Sequence, residues 1–197
     1  MIPAVTKRRS VVVTFDPAKT QSGQTLSNGN LTISATTAPS GANRGTQSTT
    51  SHSTGKFYVE FTDNNGTGSL ANALFPGVCD SSCNGVLSTA TNYTYGNWDN
   101  GYGLLNGNID QTLGAGNFYV AGDVISVALD CASGGAPIIK FYKNNALVMS
   151  FTGSGWTAPY FIFAAAYSSN STLARGTMNF GATSFSFSPP SGYTAGW

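Results

Sequence analysis

The chain has 197 residues, of which 9% are charged, and nine Lys and Arg against eight Asp and Glu leave a formal net charge of +1. That length fits one domain of the larger β type, and that balance offers no basic surface to a polyanion, so no nucleic-acid partner is expected. With 24 Gly, 23 Ser, 23 Thr and 17 Asn but a single Glu, helix formers are scarce, while 12 Phe, 9 Tyr and 3 Trp can fill a core, so neither a helical fold nor wholesale disorder is expected.

Residues 1–12 read as a flexible basic arm carrying Lys7, Arg8 and Arg9, and residues 13–197 as a single domain. The apolar run at 11–13 ends at Thr14 and Asp16, too short for the core of a secretory signal. Residues 38–54 are Gly, Ser and Thr with almost no apolar content, which predicts a long surface loop holding the single histidine, His52, in solvent. Phe57, Val59 and Phe61 then alternate with Lys56, Tyr58 and Glu60, the pattern of a half-buried strand. Cys79 and Cys83 are close enough for a local disulfide, whereas Cys131 lies in a strand-type run and is expected to pack as a small apolar group. With one histidine and no second cysteine pair, no metal or other cofactor is expected.

Tyr93, Tyr95, Trp98, Asp99 and Tyr102 gather in a Gly/Asn-rich segment. Exposed, such rings form a surface for a protein or a glycan; turned inward, they roof one end of a core. Residues 123–131 place apolar groups on both parities, as a central strand covered on both faces requires. Residues 138–142 and 146–151 form a hairpin through Asn144 and Asn145, which tolerate positive φ. Asn-Gly pairs at Asn28, Asn65, Asn84, Asn100 and Asn106 mark further turns. The longest apolar run, 161–167, is far below the roughly 20 residues of a membrane helix and reads as a buried strand, so no membrane partner is expected. Phe185 and Phe187, interleaved with Ser184, Ser186 and Ser188, predict one more strand. Strands at this density predict an all-β fold, two antiparallel sheets packed as a sandwich.

The order of these segments resembles the SPRY domain, a concanavalin-like β-sandwich jelly roll, in the form found in bacteriophage structural proteins. The resemblance begins at Val13-Thr14-Phe15-Asp16-Pro17 and Leu26-Ser27-Asn28-Gly29-Asn30-Leu31-Thr32, and continues at Gly55-Lys56-Phe57-Tyr58-Val59-Glu60-Phe61. It is most specific at Gly122-Asp123-Val124-Ile125-Ser126-Val127-Ala128-Leu129-Asp130, followed by Ile139-Lys140-Phe141-Tyr142-Lys143-Asn144, Met178-Asn179-Phe180-Gly181 and Pro190-Ser191-Gly192-Tyr193. It spans residues 13–193 and is loose from 62 to 118. It implies a non-enzymatic virion protein, a capsid decoration or a tail or fibre component, assembled in the host cytoplasm. Its partners would be other capsid or tail subunits in multiple copies, with host-surface glycans as a further partner class.

Catalytic alternatives find little among the residues. A retaining or inverting glucanase needs two carboxyl groups across the glycosidic bond; with Glu60 the only glutamate no Glu pair exists, and Asp99 with Asp110, or Asp123 with Asp130, are the candidate pairs. A Ser-His-Asp triad would have to use His52, which has no nucleophile elbow nearby. Asp63-Asn64-Asn65-Gly66 and Asp99-Asn100-Gly101 resemble fragments of calcium loops without the full set of spaced oxygens, as ordinary turns do. Sequons begin at Asn30, Asn65, Asn92 and Asn170, about the number this composition yields by chance. A lectin-like module stacking sugar on Tyr95, Trp98 and Tyr102 is the alternative to the virion reading.

Overall fold

The computed structural model describes residues 12–35, 44–65, 72–87, 91–96, 101–131, 135–168 and 173–197. Their strands are β1 (Thr25–Ser27), β2 (Thr32–Ala35), β3 (Gly45–Gln47), β4 (Lys56–Asp63), β5 (Asn72–Cys79), β6 (Asn92–Gly96), β7 (Tyr102–Leu105), β8 (Asn108–Thr112), β9 (Val124–Asp130), β10 (Ile138–Lys143), β11 (Ala146–Thr152), β12 (Phe161–Ser168), β13 (Ala174–Asn179) and β14 (Thr194–Ala195). One sheet runs β1-β2-β13-β4-β9-β10-β11, with β14 joined in parallel to β4; the other runs β3-β12-β5-β6-β7-β8. All other strand pairings are antiparallel, and the two sheets pack face to face as an all-β sandwich.

The period-two pattern of β4 and β9 explains the core. Val59 and Phe61 sit beside Val127 and Ile125 in register, and all four point between the sheets. From the second sheet Leu74, Val78, Tyr93, Tyr95 and Ile162 meet them. Each fully buried side chain of this kind contributes about 1.5–3 kcal/mol, a large part of a domain's net stability. The turns follow the asparagines: Asn144 and Asn145 take φ of 47° and 71°, the conformation a tight hairpin demands. Asn144 also braces the entry to β9, donating to Asp123 Oδ1 at 2.7 Å while its Oδ1 accepts the Val124 N–H at 2.9 Å.

Three sequence expectations need correction. First, β4 is buried on both faces, with Tyr58 2% and Glu60 3% exposed. Residues 185–187 lie over the outer face of the first sheet, where Phe185 meets the Tyr58 ring edge-on at 5.2 Å. Second, Phe185 and Phe187 do not build a strand. Their burial alternates with the exposed serines, but the N–H groups of Ser186 and Phe187 go to the Glu60 carboxylate, at 2.7 and 2.8 Å, rather than to a ladder.

Third, residues 38–54 are not all surface loop, since β3 is buried beside β12. Thr46 within it meets the Thr20 hydroxyl at 2.9 Å, and Gly45 permits an approach to the Ala164 carbonyl that a Cβ would block. β5 is a central strand buried at all eight positions despite Pro76 and Gly77, residues that central strands usually avoid. Gly77 is required there because a Cβ would collide with the Tyr93 carbonyl oxygen. Residues 1–11 of the expected basic arm, and residues 36–43, lie outside the described residues.

Candidate functional site

The predicted aromatic cluster is not one exposed surface. Tyr93 and Tyr95 lie two apart on β6 and so share a face, and that face is the core, where they are 1% and 0% exposed. Tyr93 stacks on Phe151 at 3.8 Å and donates its hydroxyl to Asp110 at 3.0 Å. Tyr95 packs against Tyr119 at 5.0 Å and donates to the Asn117 carbonyl. Burial pushes both phenols well above the usual tyrosine range, Tyr93 further by its contact with Asp110. Neither ring can stack on a ligand, which removes Tyr95 from the lectin reading. Tyr102 on β7 is half-buried against a second, smaller apolar cluster, and Trp98 and Asp99 lie outside the described residues.

The described carboxylates of the glucanase reading, Asp110, Asp123 and Asp130, are separately employed. Asp123 accepts from Val120 N at 3.0 Å and lies 3.5 Å from Lys143, while Asp130 at the far end of β9 pairs with Lys56 at 2.7 Å. Asp110 holds the Tyr93 hydroxyl. Asp63 accepts from Asn65 N at 3.0 Å in an ordinary turn, and Asn64 takes the Thr177 hydroxyl at 2.7 Å.

The end of the sandwich where β5 finishes and β12 begins is more elaborately built. Cys79 and Cys83 are joined as a disulfide, with Cα atoms 5.6 Å apart. Between them, buried Asp80 accepts from Ser82 N at 2.9 Å, Ser82 Oγ at 2.6 Å and Thr157 N at 3.1 Å. The connection after β5 is thereby tied to the one before β12. Cys131 is a buried free thiol, pushed up to about 12 by burial and by Asp130, which makes it unreactive.

His52 sits at this same end and is not solvated, contrary to the sequence expectation. Its backbone exchanges hydrogen bonds with Tyr160 at 3.0 and 2.8 Å, and its ring stacks on Phe57 at 3.8 Å. Trp197 stands edge-on to both rings, at 4.7 and 5.3 Å, and donates its indole N–H to Thr50 O at 2.7 Å. These rings, with Val12, Val13 and Phe180, line an apolar groove of about 460 Å³. His52 Nε2 is buried without a hydrogen-bond partner, and burial lowers the imidazole pKa, so the ring is neutral at pH 7. No local signal marks this group, because Phe57 and Trp197 reach His52 only through the fold.

No family model matches this sequence, and no curated protein does. Solved structures do match. The SPRY domain of human HERC1 is similar over 83% of this chain and 96% of its own, with a TM-score of 0.58 and 20% identity. The fold is that of the SPRY domain. A second human SPRY domain agrees, with a TM-score of 0.55 and 14% identity over 82% of this chain and 97% of its own. In this SPRY fold the segment of the most specific sequence resemblance forms β9, between β4 and β10, and the glycine and aspartate before it form the turn into that strand.

Proposed function

We propose that this chain is a non-catalytic docking module that binds other proteins through the connections at the ends of its sandwich. Its setting would be a bacteriophage particle, as a capsid decoration or a tail or fibre component in multiple copies. The observation that carries the docking reading is the SPRY fold across most of the chain, a fold that often serves protein–protein interaction. The end bearing Asp80 and the Cys79–Cys83 disulfide adds to it, because pre-tied loops lose little conformational entropy on binding. The particle setting is supported by the order of the sequence motifs and by a neutral, Ser/Thr/Asn/Gly-rich composition that gives little electrostatic drive to nonspecific nucleic-acid contacts.

Mass spectrometry of purified particles, with electron microscopy of the labelled protein, tests the setting. The chain is expected at a fixed copy number on the particle, and its absence overturns the virion reading. Cross-linking on assembled particles tests the docking mode: cross-links from residues 80–87 and 153–160 support end-on binding, and cross-links confined to the sheet faces refute it.

A further inference from the structure

The two sides of the sandwich are finished differently. On one side the outermost strands, β1 and β3, have three residues each. On the other side they are longer: β8 has five residues, all exposed, and β11 has seven. These two edges share a side because Tyr93 stacks on Phe151 of β11 and gives its hydroxyl hydrogen bond to Asp110 of β8. Ile109 of β8 and Leu147 of β11 are each 56% exposed, and among the described residues no strand pairs with the outer side of either.

An unpaired edge offers a row of N–H and C=O groups to another strand, which natural sheets blunt with charges, bulges or short length. β8 carries two such devices at one position, since its register with β7 skips Asp110 and that residue is a carboxylate. In β11 the register with β10 skips Val148, but the residues from Met149 to Thr152 pair regularly, and the whole strand, Ala-Leu-Val-Met-Ser-Phe-Thr, holds no charge.

We propose that the outer edge of β11 pairs antiparallel with β11 of a second copy of this chain, joining the two sheets across a two-fold axis at Ser150. Small size and exposure favour that residue. Met149 and Phe151 pack toward the core while Ser150 is exposed. An axis perpendicular to the sheet keeps like faces together whichever residue it crosses, and Ser150 is the small exposed residue inside the regularly paired run from Met149 to Thr152. Ser150 then opposes its own twin with a small uncharged group, and Met149 opposes Phe151 of the second copy. The same operation on β8 would set Asp110 against Asp110 and is disfavoured. An uncharged edge gives a foreign strand little to select, whereas a two-fold register satisfies two copies with one surface. A strand pair of this length falls short of the roughly 1,000 Å² a stable complex buries, so the contact is weak between free chains and gains strength where many copies are held together. It thus deepens the multi-copy reading above.

Sedimentation velocity of the full chain from about 10 µM to about 1 mM, combined with hydrogen exchange, tests this. The mean mass is expected to rise with concentration while exchange at residues 149–152 slows in step. Ser150→Glu places two carboxylates at the axis yet lies beside Lys140 in its own chain, so it weakens the dimer by roughly fivefold or more while keeping the fold. Ser150→Cys, oxidised with glutathione disulfide, gives a covalent dimer in higher yield than Ile109→Cys; this arm decides the matter even where Ser150→Glu fails to fold. A chain monomeric throughout, a dimer indifferent to Ser150→Glu, equal cross-linking by the two cysteine variants, or protection at 108–112 instead overturns the proposal. Dimerisation on β11 by a chain absent from phage particles refutes the virion setting and leaves this proposal standing.

Discussion

Replacing Glu60 with Ala removes one acceptor from three donors: the Tyr58 hydroxyl at 3.0 Å and the amides of Ser186 and Phe187 at 2.7 and 2.8 Å. The three losses are unequal. Tyr58 keeps the Ser126 hydroxyl at 2.7 Å and loses little. The two amides have no other partner in place, and bonds to a charged group contribute about 1.5–3 kcal/mol each. Because the covering segment can turn these amides toward water, the lower bound applies, and Glu60→Ala is expected to cost about 3 kcal/mol. Glu60→Gln keeps one carbonyl oxygen and should lose about half of that. Urea unfolding gives the total, and hydrogen exchange at residues 186 and 187 locates it, since these amides should exchange by local opening in the variant. A loss below about 0.5 kcal/mol, with both amides still protected, would refute the view that one carboxylate fastens the covering segment.

Three other outcomes are expected. Because burial lowers the His52 pKa below 6.5, the unfolded chain takes up the proton first; stability is full above about pH 6.5 and falls as pH drops toward the folded pKa. His52→Phe should flatten that limb in thermal melts between about pH 7.5 and 5, and an unchanged slope counts against the buried ring. Gly77→Ala drives a methyl into the Tyr93 carbonyl oxygen and should cost about 3 kcal/mol in urea titration; a change under about 1 kcal/mol would mean β5 and β6 can separate freely. Replacing both Cys79 and Cys83 with Ser opens a ring of sequence separation 4, worth about 2 kcal/mol by loop closure, and should speed proteolysis between 80 and 91; equal stability and cleavage would show the bond to be idle.

Legibility in the sequence tracked apolar periodicity. Residues 123–131 became β9 because Val124, Ile125, Val127 and Leu129 announce burial on both faces, and the hairpin at Asn144 and Asn145 announced itself by residue types that accept positive φ. β3 was hidden because its residues, Gly45, Thr46 and Gln47, are polar or lack a side chain and leave no apolar stripe, while Thr46 finds its partner in the distant Thr20. β5 was hidden by Pro76 and Gly77, whose local cost is outweighed by close packing against β12 and β6. At the candidate site, the two-residue spacing of Tyr93 and Tyr95 already required one shared face, and strand alternation identifies that face as the core. His52 is the opposite case, since its burial depends on Phe57 and Trp197 converging from elsewhere, which no local pattern can express.

The strand order carries a consequence for biosynthesis. β2 and β3, near the start of the chain, find their sheet neighbours in β13 and β12, near its finish. During translation these early segments leave the ribosome well before the strands they pair with, so the sheets close only once residues 161–179 have emerged. Such long-range pairing makes for slow maturation and exposes the nascent product to association with its neighbours on a polysome.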